Sequence, residues 1–216
     1  MNKKILVDSN SLFSDYIAEI RDEEIQKDSM RFRRNLERIG EVFAYEISKG
    51  LSYEVKSVKT SLGIAKENKL KQYPVLATIL RAGLALHQGL LSYFDQSESA
   101  FVSAYRDTAE DGSFDIKVEY LASPSIEGRT VILSDPMLAT GRSMELAYKA
   151  LIRNGNPKCL HVVAALASKQ GVEFIEKNLP ENTTLWLGAV DDELNSKAYI
   201  CPGLGDAGDL AFGDKL

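Results

Sequence analysis

Two hydrophobic rhythms alternate along this chain. Leu12, Phe13, Tyr16, Ile17 and Ile20 recur at helical spacing, with Asn10 or Ser11 as the cap. A longer helix is expected from about Ser29 to Ser48, where Phe32, Leu36, Ile39, Phe43 and Ile47 step by four, three, four and four. Residues 53–58 alternate and read as a strand with one wet face. Residues 74–80 are continuously apolar, as in a strand covered on both faces, and lead through Arg81-Ala82-Gly83 into an apolar helix over 84–94. Residues 101–105 form the next buried strand, expected to end at Arg106-Asp107. The polar stretch 108–113 follows, and then Ile116, Val118 and Tyr120 alternate with charges. That predicts a two-stranded excursion with an exposed tip, either a plain surface hairpin or an arm that closes over a ligand.

Residues 130–133 read as another buried strand, followed by a small-residue turn and a helix carrying Met144, Leu146, Ala147, Ala150 and Leu151. Ser143 is placed to cap that helix, and Gly155 and Pro157 to end it. Residues 160–167 form a strand, Ser168 caps a helix reaching Asn178, and 184–190 form a last strand. Strands alternating with helices predict an α/β fold, a mostly parallel twisted sheet flanked by helices. No repeat or linker interrupts the pattern. A single domain over 1–216 is expected: N-terminal helices over 1–50, an α/β core over 51–190, and a C-terminal segment over 191–216.

The candidate chemistry lies at strand ends. Arg81, Arg106 and Asp135 are each expected just past the C-terminal end of a buried strand, the edge where open parallel sheets bind ligands. An arginine fork suits phosphate. The turn Asp135-Pro136-Met137-Leu138-Ala139-Thr140-Gly141-Arg142-Ser143 opens onto a helix N-terminus, whose first N–H groups lack internal partners. Gly141 lets the backbone bend tightly, Thr140 and Ser143 add hydroxyls, and Asp135 can accept from a vicinal diol. A sugar phosphate fits: diol on the acid, phosphate in the turn. An ordinary strand-to-helix turn is the plain alternative, because the pattern is neither G-x-x-x-x-G-K-[ST] nor G-x-G-x-x-G. The run from Tyr199 to Asp209 holds three glycines, one proline and two acids in eleven residues. It reads as a shaped loop, neither helix nor strand, whose backbone groups can meet a planar amide-like edge; a turn-rich tail is the alternative.

Composition narrows the partners. The net charge is −5 over 216 residues, with 44% hydrophobic and 26% charged positions, which argues against a nucleic-acid footprint spread over the surface. Arg31, Arg34 and Arg38 share one helix face, but Glu37 and Glu41 lie nearby. This is read as a solvated basic face, with a subunit contact or effector-phosphate site as the alternative. Cys159 and Cys201 lack metal spacing and read as thiols in a reducing compartment. His87 reads as packing. The run Ile5-Leu6-Val7 is too short for a signal peptide, and no stretch approaches a membrane span, so a cytoplasmic location is expected.

A resemblance sharpens this picture. Asp135-Pro136-Met137-Leu138-Ala139-Thr140-Gly141, with Ser143 two residues on, resembles the phosphoribosyl diphosphate (PRPP) loop of uracil phosphoribosyltransferases. Arg142 stands where that family usually has glycine, and its role is open. Tyr199-Ile200-x-Pro202-Gly203-Leu204-Gly205-Asp206-Ala207-Gly208-Asp209, with Phe212-Gly213 following, is similar to the family's uracil-binding signature. Residues 30–47 resemble its N-terminal helix. The resemblance implies a type I phosphoribosyltransferase fold with a flexible β-hairpin arm near 107–120 and a C-terminal base-binding loop. It implies that Arg81 and Arg106 hold the diphosphate, that Asp135, Pro136, Met137, Leu138, Ala139, Thr140, Gly141, Arg142 and Ser143 hold the ribose and its phosphate, and that Ile200, Gly205, Asp206 and Ala207 contact uracil. Asp206 would also lie near the ribose or its metal, and catalysis would rest on Arg81, Arg106, Asp135 and Asp206.

The implied reaction converts uracil and PRPP to UMP and diphosphate, in pyrimidine salvage. Mg2+ is the implied cofactor, held mainly through PRPP and water. Many phosphoribosyltransferases carry two adjacent acids where this chain has Asp135-Pro136, so no protein ligand is assigned to the ion. GTP as an effector and assembly as a homo-oligomer, dimer or tetramer, follow from the same resemblance; a nucleic acid or a membrane does not. The alternatives are a phosphoribosyltransferase for another base, and a regulatory protein of this fold that binds UMP or RNA.

Overall fold

The computed structural model describes residues 1–108 and 114–215, with side chains given outside 104–118. The chain opens with an edge strand that the hydrophobic pattern does not disclose, β1 (Asn2–Ile5). Helix α1 (Leu12–Arg21) follows, and the Ser11 hydroxyl caps it by accepting from the Phe13 N–H. Helix α2 (Ser29–Ser48) starts at Asp28, whose carboxylate accepts from Met30 and Arg31. Its expected apolar stripe is buried throughout, and the rings of Phe13 and Phe43 meet edge-on, with centroids 5.4 Å apart.

The expected strand at 53–58 is β2 (Tyr53–Lys59), but it pairs with β3 (Ile64–Leu70), a strand that sequence reading missed. The two form a separate antiparallel hairpin with almost every residue of both strands at least partly exposed, not one wet and one dry face. Val55 and Ile64 are exposed because no layer covers either face.

The core elements are β4 (Val75–Leu80), α3 (Leu84–Tyr93), β5 (Ser99–Thr108), β6 (Phe114–Ala122), β7 (Thr130–Ser134), β8 (Met137–Leu138), α4 (Arg142–Leu151), β9 (Cys159–Ser168), α5 (Lys169–Asn178) and β10 (Thr184–Asp191). Two short strands, β11 (Glu193–Leu194) and β12 (Ile200–Cys201), and helix α6 (Ala207–Phe212) complete the described chain. The main sheet runs β1-β10-β9-β7-β4-β5-β6, with β8 added beside β9. Its described pairs are parallel except β5 with β6. Strand periodicity sorts the core into two layers. Leu76, Ile132, Val163 and Ala165 face α1, α2, α3 and α6. Val75, Ala77, Leu133, Val162 and Ala164 face α4 and α5. A helix layer on each face explains why these strands are apolar without alternation.

Three expectations need correction. Strand β5 does not end before Arg106 but continues to Thr108, because antiparallel pairing with β6 supplies partners beyond the parallel sheet; Arg106 sits opposite Ile116. Arg106 therefore lies inside a two-stranded ribbon and not past a strand end, and its side chain and the tip at 109–113 fall outside the described residues. Helix α4 begins at Arg142, not after Ser143: its N-cap is Gly141, at φ 80°, so the chain turns into the helix two residues early. Finally, the run from Tyr199 to Asp209 is not wholly irregular. Ile200 and Cys201 pair with β11, and α6 starts at Ala207.

Candidate active site

The parallel sheet puts the ends of β4 and β7 side by side, and side chains lock them there. Thr78 donates its hydroxyl to Ser134 O at 3.2 Å, and Ser134 donates to Ala77 O at 3.2 Å. Arg81 follows one of these strands and Asp135 the other. The Asp135 N–H donates to Val163 O at 3.1 Å, which ties the turn to β9 as well. Strand β8 continues that tie, and Ser168 completes it: its hydroxyl donates to Ala139 O at 2.6 Å and accepts from Gly171 N at 2.8 Å. The turn is thus fastened before it reaches Thr140 and Gly141. A Cβ on Gly141 would lie 2.8 Å from Phe174 Cδ1, so glycine is required for space as well as for its positive φ. Gly141 offers no side chain to cap α4, and the Arg142 N–H makes only a long 3.5 Å bond to Thr140 Oγ1, so among the described residues the next N–H groups stay open to an anion.

A cavity of about 710 Å³ lies over these strand ends, walled on its far side by the C-terminal segment. Of the residues expected to bind PRPP, Arg81, Asp135, Met137, Leu138, Ala139, Thr140, Gly141 and Ser143 line it, as does Asp206. All four residues expected to meet uracil, Ile200, Gly205, Asp206 and Ala207, line it too. Pro136 and Arg142 do not: Pro136 is buried with its carbonyl accepting from Leu166 N at 3.0 Å, and Arg142 is exposed. Sequence reading missed Ser103, Tyr199, Gly208 and Lys215 in the wall. Ser103 carried no signal beyond its strand, whereas Tyr199 and Gly208 stood inside the signature-like run without being assigned a contact. Lys215 joins the site through the fold, with its ammonium 3.6 Å from Asp206 Oδ2.

The polar groups differ in their state. Arg81 pairs with Asp209 of α6 through Nη2, while its buried Nε has no partner among the described residues. A buried donor without a partner at a cavity wall is suited to a ligand oxygen. Asp206 caps α6, with Oδ1 accepting from Gly208 at 2.8 Å and Asp209 at 3.0 Å. Burial pushes the Asp135 carboxyl up to about 7; the Met137 N–H opposes this, and the charge of Asp206 adds to it. The fold thus places two hard carboxylate donors on one cavity, which suits Mg2+ if a ligand supplies further oxygens. Among the described residues, no group of three or more His, Cys, Asp or Glu is placed to hold a metal.

The arginine face of α2 is engaged within the protein, two of its three guanidiniums by carboxylates. Arg31 makes a two-pronged pair with Glu19, Arg34 bridges Glu37 and Glu41, and Arg38 donates to Asn35 and lies over the Tyr16 ring. Paired guanidiniums make a poor phosphate or RNA surface. No described helix is long and apolar enough to cross a membrane.

Comparison with known proteins matches this geometry. The family model described as uracil phosphoribosyltransferase matches residues 7–214. A Porphyromonas gingivalis protein named uracil phosphoribosyltransferase is 55% identical over 207 residues, covering 96% of each chain. One of the same name from Thermococcus gammatolerans is 37% identical, covering 93% of this chain and 88% of its own. Among solved structures, the AQ2163 protein of Aquifex aeolicus superposes with a TM-score of 0.87 at 29% identity, over 99% of both chains. With the family model spanning nearly its whole length, and a rim and loop that carry the expected residues to one cavity, this chain belongs to the uracil phosphoribosyltransferase family.

Proposed function

We infer that this protein transfers the phosphoribosyl group of PRPP to N1 of uracil, giving UMP and diphosphate. The observation that carries this reading is the pairing, across one cavity, of an acid and an open helix N-terminus with a glycine-rich loop. The reaction breaks a C–O bond at the anomeric carbon and forms a C–N bond to the base. Positive charge gathers on the ribose in the transition state, and negative charge on the leaving diphosphate. Such a reaction needs no side-chain nucleophile; it needs positioning and charge stabilisation.

The residue roles follow from their chemistry. Asp135 would accept hydrogen bonds from the ribose diol, which favours its charged form and lowers its raised pKa. Thr140, Ser143 and the first N–H groups of α4 would hold the phosphate. Arg81, through its unpartnered Nε, would hold the diphosphate as charge builds there, joined by Arg106. The backbone of Gly205, Asp206 and Ala207, beside Ile200, would read the two carbonyls and the N–H of uracil. Mg2+ would be held mainly by PRPP oxygens and water near Asp135 and Asp206, and when bound supplies charge neutralisation to the diphosphate.

The wider expectations belong to the same reading. The exposed Val55, Leu62 and Ile64 of the β2–β3 hairpin favour assembly with a second copy, as a dimer or tetramer. Two free cysteines fit a cytoplasmic enzyme. GTP would act as an effector, as the family resemblance implies. The test is UMP formation from uracil, PRPP and Mg2+, with cytosine, hypoxanthine and no base as controls. UMP from uracil alone is expected; UMP binding without turnover would favour a regulatory protein instead.

A further inference from the structure

The loop assigned to uracil is held by residues that never reach the cavity. Arg21, the last residue of α1, sets both of its terminal guanidinium nitrogens on Asp191 at the end of β10. Nη1 lies 2.8 Å from Oδ2, and Nη2 lies 2.7 Å from Oδ1. Arg21 Nη1 also donates to Gly203 O at 3.1 Å, while the Gly203 N–H donates to Asp191 Oδ2 at 2.9 Å. A single ion pair therefore grips Gly203 at both its N–H and its carbonyl. Gln26, in the turn Ile25–Lys27, reinforces it: with its amide nitrogen turned to the loop, it donates to Leu204 O at 3.0 Å and to Ile20 O at 2.9 Å.

This arrangement is built for placement. Asp191 is 8% exposed. Burial alone would push its carboxyl up, yet the Arg21 guanidinium and the Gly203 N–H hold it below the usual range. Gly203 has φ 59°, and a Cβ there would lie 2.1 Å from Ile200 O, so the gripped residue must be glycine. Two residues on, Gly205, Asp206 and Ala207 form the cavity wall. The start of that wall, Gly205 at φ 95° and the short segment before α6, lies outside the described strands. Without the grip, a glycine-rich loop would need ordering each time a base bound.

We propose that Arg21, Gln26 and Asp191 are positioning residues for base recognition: they set the Gly205–Ala207 backbone at the height where it meets the edge of the base. The proposal rests on the reading of residues 200–207 as the uracil site. It assigns a part in substrate selection to the first helix, well away from the signature loops.

The full-length protein tests this with Arg21→Met, Arg21→Lys and Asp191→Asn, each assayed for kcat and for the KM of uracil and of PRPP. Arg21→Met should raise the uracil KM by about tenfold while leaving the PRPP KM within about twofold, a loss confined to the base. Arg21→Lys keeps the charge but not the fork, and should recover part of that loss. A second readout needs no substrate. In the free variants the 203–207 amides should exchange hydrogen faster, while those of β9 keep their protection. Equal rises in both KM values, or faster exchange with an unchanged uracil KM, would overturn the positioning role and leave the ion pair as fold support. If the wild-type protein makes no UMP, the substrate reading falls by itself, and unchanged exchange at 203–207 in Arg21→Met would separately overturn the clamp.

Discussion

The two walls of the cavity are built on opposite plans. The phosphate wall stands on the ends of β4 and β7, locked by reciprocal hydroxyl bonds and by β8, so its backbone is fixed by the sheet. The base wall has only a two-residue strand pair and a six-residue helix, and borrows its rigidity from Arg21, Gln26 and Asp191. The sheet supplies geometry shared by any sugar-phosphate enzyme on such a rim. On the proposed reading, the clamped loop would supply what is particular to one base. On the proposed assignment, chemistry and specificity would fall mainly on different walls, joined where Arg81 pairs with Asp209 and where the charge of Asp206 reaches Asp135.

The largest effect should come from the wall that handles the leaving group. Arg81→Ala removes a guanidinium from the cavity, and kcat should fall by about a thousandfold in a single-turnover assay. A small loss would mean that the leaving group is stabilised elsewhere. Next comes Gly203→Ala, which forces a Cβ against Ile200 O. Calorimetry should find it destabilised by about 1–3 kcal/mol, with the kinetic damage confined to uracil.

A pH effect of intermediate size belongs to Asp135. Its folded pKa, about 7, lies above its ordinary 3.8. The folded state therefore keeps a proton that the unfolded chain has lost, and this group's contribution to stability falls as pH rises from 3.8 to about 7, then levels off. His87 and His161, lowered by burial to about 4, push the other way over part of that window. The check is thus the difference in thermal melting between wild type and Asp135→Asn. The variant should gain relative stability toward pH 7; a parallel pair of curves would show that Asp135 ionises freely. The smallest effect is expected outside the cavity. Arg31→Ala breaks a partly exposed pair with Glu19 and should cost less than about 1 kcal/mol in denaturant melts, with both KM values unchanged.

The two walls were not equally legible in the sequence. The phosphate wall was readable because its parts are local: an apolar strand, one acid, Thr140-Gly141 and a helix within one short stretch. Ser143 as cap was an error that came from overlooking that a left-handed Gly141 can itself start the helix, and Pro136 and Arg142 were placed at the cavity because a turn read residue by residue does not show which of its side chains face inward. The base loop announced itself through glycines, but neither its clamp nor the pairing of Arg81 with Asp209 could be read, because Arg21 meets Asp191 across 170 positions and Arg81 meets Asp209 across 128. Edge strand β1 was hidden by its lysines, which face solvent, and β3 by polar residues in a hairpin that buries almost nothing. Arg106 was misjudged because antiparallel pairing in a ribbon needs no apolar pattern to carry a strand past the sheet.

The most direct test of divided labour is a crossed measurement of KM for PRPP and for uracil in two variants, one from each wall. Thr140→Val removes a hydroxyl from the phosphate turn, and Gly203→Ala deforms the base loop. Thr140→Val should raise the PRPP KM by about tenfold and spare uracil, while Gly203→Ala should do the reverse. If both variants weaken both substrates in the same proportion, the two walls act as one unit, and the division drawn here is wrong.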